Sequence, residues 1–293
     1  MYHGTLLWNC LLLFLPLYFR TVTSCSDLPE CQTLSVQVST SQINITGLHE
    51  GFFLQRITDG DGNVIRASDG SNNNTSLMSF GSGTQYVIQY GDDTTSCCRN
   101  VTTKPMSVKS LQISNVTSYS VSLTWSKPEE YKTSYSYRVQ TNVSSSATML
   151  YNTTVTSESA TIMTLTPGET YTFLVYTRAA DNITESDPVS YTYCTVPGQV
   201  SSISLYNNKS VESLGVTWTK PEGNVTNYTV SVTGAVTNTT QTTATQVTIT
   251  GLLPGREYTV TVQTNSGTCS QISAPVTQAT CEYHQDLKNN ESL

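Results

Sequence analysis

The sequence predicts an all-β chain, tandem β-sandwiches behind a signal peptide. Three observations predict it: an internal repeat, a two-residue alternation of apolar side chains inside each copy, and the lack of any comparable helical period. The repeat is explicit. Leu123-Thr124-Trp125-Ser126-Lys127-Pro128 returns as Val216-Thr217-Trp218-Thr219-Lys220-Pro221, 93 positions later. Leu165-Thr166-Pro167-Gly168-Glu169-Thr170-Tyr171 returns as Leu252-Leu253-Pro254-Gly255-Arg256-Glu257-Tyr258, and Pro188-Val189 with Cys194 returns as Pro275-Val276 with Cys281, both at an offset of 87. A fainter copy, Phe80-Gly81-Ser82-Gly83-Thr84-Gln85-Tyr86, lies 85 positions before the Leu165 motif. These matches divide the chain into a signal peptide (1–24), three modules (25–104, 105–196 and 197–282) and a polar tail (283–293).

Alternation makes each module β-rich. Val121, Leu123 and Trp125, then Tyr171, Phe173 and Val175, then Tyr258, Val260 and Val262 place every second residue on one face of a strand. Modules of roughly 90 residues with several short strands need a second sheet to cover the apolar face of the first, hence a sandwich. Pro128 and Pro221 end the strands that precede them.

Composition narrows the function. Fourteen basic residues against 21 acidic ones give a net charge of -7, the wrong sign for a nucleic-acid binder. Only 12% of residues are charged, against roughly 25% in an average soluble chain. Asparagine supplies the missing polarity, through 13 acceptor triplets for N-linked sugar at Asn44, Asn73, Asn74, Asn100, Asn115, Asn142, Asn152, Asn182, Asn208, Asn224, Asn227, Asn238 and Asn290. Most, but not all, are expected to carry sugar, and each that does must face solvent.

Leu6 to Phe19, 14 mostly apolar residues, is too short to span a bilayer and suits a signal-peptide core, with Val22-Thr23-Ser24 placing cleavage before Cys25. No later segment approaches the roughly 20 apolar residues of a spanning helix. The expectation is therefore a protein that is secreted, or lies on the outer side of the plasma membrane as part of a longer chain.

Trp125-x-x-Pro128 and Trp218-x-x-Pro221, each followed by Leu-x-Pro-Gly-x-x-Tyr, resemble the fibronectin type III module over about 180 residues. The resemblance implies that Trp125 and Trp218 pack between the sheets. It also implies that Tyr171 and Tyr258 turn a corner, their hydroxyls bonding back to the chain. The first module has Tyr86 but no tryptophan, and is expected to be a degenerate copy with Phe52 and Phe53 filling part of its core. Module order, acceptor-triplet density and Asn100-Val101-Thr102-Thr103-Lys104-Pro105 resemble the ectodomains of receptor-type tyrosine phosphatases of the eta and beta kind. The Cys-x5-Arg loop of their catalytic half is absent from this chain, so no such activity is assigned to it.

After Cys10 leaves with the signal, seven cysteines remain, an odd number. Cys269 and Cys281 read as opposite ends of one last strand, too far apart at about 3.3 Å per residue for a disulfide that tolerates roughly 6 Å. Cys269 sits in the loop at the pole where the chain enters the third module, and Cys194 lies just before that entry, so Cys194 is expected to pair with Cys269. By the same geometry Cys25 and Cys31 are expected to meet Cys97 and Cys98, in an order the sequence leaves open. Cys281 is left alone, in the repeat position of Cys194. Its expected fates are the equivalent loop of a fourth module, in a chain cut short, a covalent dimer, or a free buried thiol.

Candidate chemistry is sparse. Asp59-Gly60-Asp61-Gly62-Asn63 has acidic spacing, but Val64 and Gly70 stand where a calcium loop needs glycine and a carboxylate, so a hairpin turn is expected. No cysteine–histidine spacing supports a metal, and Gly-x-Gly at Gly60 and Gly81 precedes no helix that would bind phosphate. Three histidines, without a nucleophile motif, do not make a triad. The expectation is a non-catalytic, cofactor-free extracellular binding or spacer region for an unknown protein ligand, with Tyr131, Tyr135 and Tyr176 as exposed aromatics. A soluble cytokine-receptor-like binder is the first alternative, although its Trp-Ser-x-Trp-Ser signature is missing. A secreted enzyme or enzyme accessory domain is the second, lacking a cluster of acids or histidines.

Overall fold

The computed structural model describes residues 34–67 and 75–283. The chain divides into two compact units, the first ending at Thr103 and the second beginning at Lys104. Among the described residues every regular element is a strand.

The first unit contains β1 (Ser35–Val38), β2 (Gln42–Thr46), β3 (Phe53–Asp59), β4 (Val64–Ala67), β5 (Thr75–Met78), β6 (Gln85–Gly91) and β7 (Ser96–Thr102). They form two antiparallel sheets, ordered β1-β2-β5 and β4-β3-β6-β7. Ile43, Ile45, Ile57, Leu77, Tyr86, Ile88 and Tyr90 fill the space between. Gly47, with φ 81°, stands two residues beyond Ile45, where the later modules carry tryptophan. Phe52 packs against this core, while Phe53 is half-exposed. The Asp59–Asn63 segment is a hairpin turn: Asp59 Oδ1 accepts the amides of Asp61 (3.0 Å) and Asn63 (2.8 Å). A further bond from the Asn63 side chain helps hold the Asp59 carboxyl below its ordinary range.

The second unit holds two sandwiches of matching topology. One is built from β8 (Lys109–Val116), β9 (Val121–Ser126), β10 (Ser136–Val143), β11 (Met149–Val155), β12 (Ser159–Ile162), β13 (Thr170–Arg178) and β14 (Val189–Cys194), with sheets β8-β9-β12 and β11-β10-β13-β14. The other follows with β15 (Ser201–Tyr206), β16 (Ser213–Thr219), β17 (Asn227–Gly234), β18 (Asn238–Thr242), β19 (Gln246–Thr250), β20 (Glu257–Ser266), β21 (Cys269–Ile272) and β22 (Val276–Ala279). Its sheets are β15-β16-β19 and β18-β17-β20, with β21 and β22 both on β20. The single last strand expected from the sequence is thus two pieces, broken around Pro275.

Alternation dictates the packing. Along β13 Tyr171, Phe173 and Val175 are fully buried, and along β20 so are Tyr258, Val260 and Val262. Trp125 and Trp218 are 5% exposed and meet Tyr137 and Tyr228 edge-on, at ring centroid distances of 5.4 and 5.1 Å. Burying aromatics of this size dominates the energy of each small core.

One corner occurs three times. Tyr86 Oη accepts the Gly81 amide at 2.9 Å, Tyr171 Oη the Thr166 amide at 2.8 Å, and Tyr258 Oη the Leu253 amide at 2.8 Å. Across each corner a buried threonine donates its hydroxyl: Thr103 to Gly81 O, Thr195 to Thr166 O and Thr280 to Leu253 O, at 2.6 to 2.7 Å.

Candidate functional site: the joint of the second unit

The turn between β12 and β13, Pro167-Gly168-Glu169, lies at the end of its sandwich that faces the next one. Proline fixes one bend and Gly168 takes φ +67°, so the chain reverses without a side chain on its outer surface. Into that gap comes the β16–β17 loop of the following module. A Cβ on Gly168 would stand 2.3 Å from Asn224 O, and one on Gly223 would stand 2.3 Å from Pro167 O. Hydrogen bonds close the contact: Asn224 N–H to Pro167 O at 2.9 Å, Asn224 Nδ2 to Glu169 Oε2 at 2.5 Å, and Ser266 Oγ to Gly168 O at 2.6 Å. Tyr119 Oη adds a bond to Glu222 Oε2 at 3.0 Å, and that carboxylate holds the phenol above its ordinary pKa.

A disulfide spans the same joint. Cys194 ends β14, Cys269 opens β21, and their Cα atoms are 6.1 Å apart. Cys97 and Cys98 of β7 are buried and disulfide-bonded, Cys97 within the core and Cys98 on the alternate side of the strand. Cys25 and Cys31 lie outside the described residues.

Cys281 is free and half-exposed, and its position corrects the sequence reading. Tyr171 pairs with Tyr193, so Cys194 is the next residue along; Tyr258 pairs with Gln278, so the counterpart of Cys194 is Ala279. Cys281 corresponds instead to Val196, and both donate their amides at 3.1 Å into the turn between their module's first two strands, to Ser210 O and Thr117 O. The cause is a two-residue slip of β22 against β20, which keeps every side chain on its face while carrying the matched letters one strand period further. Cys281 borders a cavity of about 730 Å³ with Lys209, Val211, Glu282 and Tyr283.

The outer face of β11-β10-β13 carries a cluster that the sequence did not reveal. Arg138 donates Nε and Nη2 to Glu185 at 2.7 Å each, and Arg178 donates to the same carboxylate at 3.1 and 2.8 Å. The bonds from Arg138, reinforced by those from Arg178, hold Glu185 below the ordinary carboxylate pKa. Arg138 also lies 3.8 Å from the Tyr176 ring centroid. Tyr176 is thus a covered platform, and Tyr131 has Lys127 Nζ 4.0 Å above it. Tyr135, expected to be exposed, is buried at 3%, set edge-on to Tyr131 where the chain turns into β10.

Of the acceptor asparagines, Asn100, Asn115, Asn152, Asn182, Asn208 and Asn224 are exposed, and Asn44, Asn142, Asn227 and Asn238 are half-buried. Asn73, Asn74 and Asn290, like the signal segment, lie outside the described residues. In the first unit an open recess of about 610 Å³ lies between Phe53, Gln55, Arg56, Gln89 and the Asp92–Ser96 loop. Among the described residues no group of three or more His, Cys, Asp or Glu is placed to hold a metal, and no helix is long and apolar enough to cross a membrane.

Seven- and eight-stranded two-sheet sandwiches, with a tyrosine corner in each and a bonded joint between two of them, define a chain of immunoglobulin-like modules. The fibronectin type III domain model matches residues 103–192 and 198–279, more than half of the chain, and the chain belongs to that family. Its relatives include receptor-type tyrosine-protein phosphatase eta of Gallus gallus, 35% identical over 159 residues, covering 53% of this chain and 11% of that protein. Receptor-type tyrosine-protein phosphatase H of Homo sapiens is 29% identical over 243 residues, covering 78% and 21%. The human phosphatase eta is 27% identical over 191 residues, covering 61% and 14%. This chain thus spans between 11% and 21% of the length of those relatives. Among solved structures, a two-domain fibronectin type III segment of chicken tenascin is 25% identical with a TM-score of 0.46, covering 58% of this chain and 97% of that one. The FN1-FN3 domains of chicken CNTN1 are 11% identical with a TM-score of 0.31, covering 86% and 99%.

Proposed function

We propose that this chain is the glycosylated extracellular region of a phosphatase-like cell-surface receptor, serving as a stiff recognition segment that presents sandwich faces and loops to another protein. The observation that carries the reading is the joint. A close backbone contact, four hydrogen bonds and a disulfide hold two modules together, and such fixity lowers the entropy that a partner must remove on binding. The disulfide itself suits an oxidising compartment. No bond-making role is assigned: the clustered charges, Arg138, Arg178 and Glu185, are tied to one another in ion pairs on a sheet face. Cys281, free and half-exposed, is the residue through which two chains would link covalently.

The test uses the full chain, with its own leader, expressed in mammalian cells and presented on cultured cells as a fluorescent fusion. The reading expects recovery from the medium, a fall in mass on enzymatic deglycosylation and saturable, protease-sensitive binding to cell surfaces. Retention in the cytosol, or binding that never saturates on any cell type, would contradict it.

A further inference from the structure

Two acceptor triplets overlap the joint, Asn224-Val225-Thr226 and Asn227-Tyr228-Thr229, and their carboxamides have opposite surroundings. One side of Asn224 faces solvent, but Nδ2 is turned across the joint to Glu169 Oε2 at 2.5 Å. Its main chain is pinned on both sides of the residue: the amide bonds Pro167 O at 2.9 Å, and the carbonyl oxygen lies where a Cβ on Gly168 would be only 2.3 Å away. Asn224 therefore cannot withdraw its side chain by shifting the loop without breaking the joint.

Asn227 opens β17. Its Oδ1 accepts Asn265 Nδ2 at 2.8 Å, and the hydroxyl of Thr229, the third residue of its triplet, accepts the same nitrogen at 2.9 Å. These bonds hold the carboxamide by its oxygen. Its Nδ2, the atom a sugar would substitute, makes no hydrogen bond among the described residues.

We infer that in this pair Asn227 carries the N-linked sugar, and that Asn224 keeps an unmodified carboxamide as part of the joint; the inference rests on the export reading above. In the transfer, the Asn227 Nδ2–C1 bond forms as the bond from C1 to the pyrophosphate of a lipid-linked oligosaccharide breaks, and one Nδ2 proton leaves. The same transfer at Asn224 would put a pyranose ring on the nitrogen that faces Glu169 and the Pro167-Gly168 turn. Joint closure and a sugar at Asn224 therefore compete for the same space.

The test is intact mass of the full-length secreted protein, before and after enzymatic release of N-glycans. Three forms are compared: wild type; Thr226→Ala, which abolishes the first triplet while leaving Asn224 in place; and Asn227→Gln, which abolishes the second. Thr226 is exposed, so its truncation leaves the fold intact. The expected result is an unchanged glycan count in Thr226→Ala and a loss of one glycan in Asn227→Gln. Loss of one glycan in Thr226→Ala, or none in Asn227→Gln while other sites are occupied, overturns the inference alone. A wild-type mass unaffected by deglycosylation overturns the export reading, and this inference with it.

Discussion

Gly168 of one module lies directly beneath Asn224 of the next, so close that a Cβ on Gly168 would stand 2.3 Å from the Asn224 carbonyl oxygen. Gly168→Ala must therefore both strain a residue at φ +67° and push the two backbones apart. The left-handed conformation alone costs about 1–2 kcal/mol for a residue with a Cβ. The expected outcome is faster reduction of Cys194–Cys269 by a fixed dithiothreitol concentration, because a joint held apart gives the reductant access to Cys194, which is 2% exposed when the joint is closed. Reduction at the wild-type rate would show that the contact is not close in solution.

The tyrosine corners set a second expectation. Tyr171→Phe leaves the Thr166 amide without its 2.8 Å acceptor, and Tyr258→Phe does the same to Leu253. Each should lose about 1–3 kcal/mol of stability, the cost of an unsatisfied partly buried donor. Urea denaturation checks this, and a change below about 0.5 kcal/mol would place the corner in water.

Glu185 gives a pH dependence with a definite sign. Its folded pKa is lowered below the ordinary 4.5, so its contribution to stability is fully present above that value and is lost as the pH falls through the folded pKa. Glu185→Gln should cost about 1–2 kcal/mol at neutral pH, since the cluster is partly wet. Denaturation curves across the acid range should show the difference between the two proteins shrinking to nothing at the acid end. A constant difference would contradict the pairing with Arg138 and Arg178.

Cys281 should react with maleimide in the monomeric, unreduced folded protein, while Cys194 and Cys269 stay unlabelled. Peptide mapping reads this directly. Labelling at Cys194 or Cys269 would mean that their disulfide is absent.

The sandwich was legible because burial demands a period of two, and Tyr171, Phe173 and Val175 display it in the letters themselves. Strand polarity likewise places Cys194 beside Cys269, since both positions lie at one pole. The displacement of Cys281 was not legible. Pro275-Val276 repeats Pro188-Val189 in the letters, whereas the pairing follows the shorter connection behind β20: Tyr258 and its partner Gln278 are 20 positions apart, Tyr171 and its partner Tyr193 are 22. Nor was the Arg138–Glu185 pair, whose members lie 47 residues apart and meet only when β10 pairs with β13. Pro167-Gly168 reads as a turn in any sequence, and its second role, as the surface that receives Asn224, exists only once two modules are docked.

The most direct measurement is of residual dipolar couplings in the full chain, recorded for the backbone amides of residues 105–196 and 197–282. A joint fixed by Gly168, Asn224, Ser266 and the Cys194–Cys269 bond predicts that one alignment tensor fits both sets of couplings. Two tensors of different magnitude would show the modules moving independently, and would contradict a stiff recognition segment.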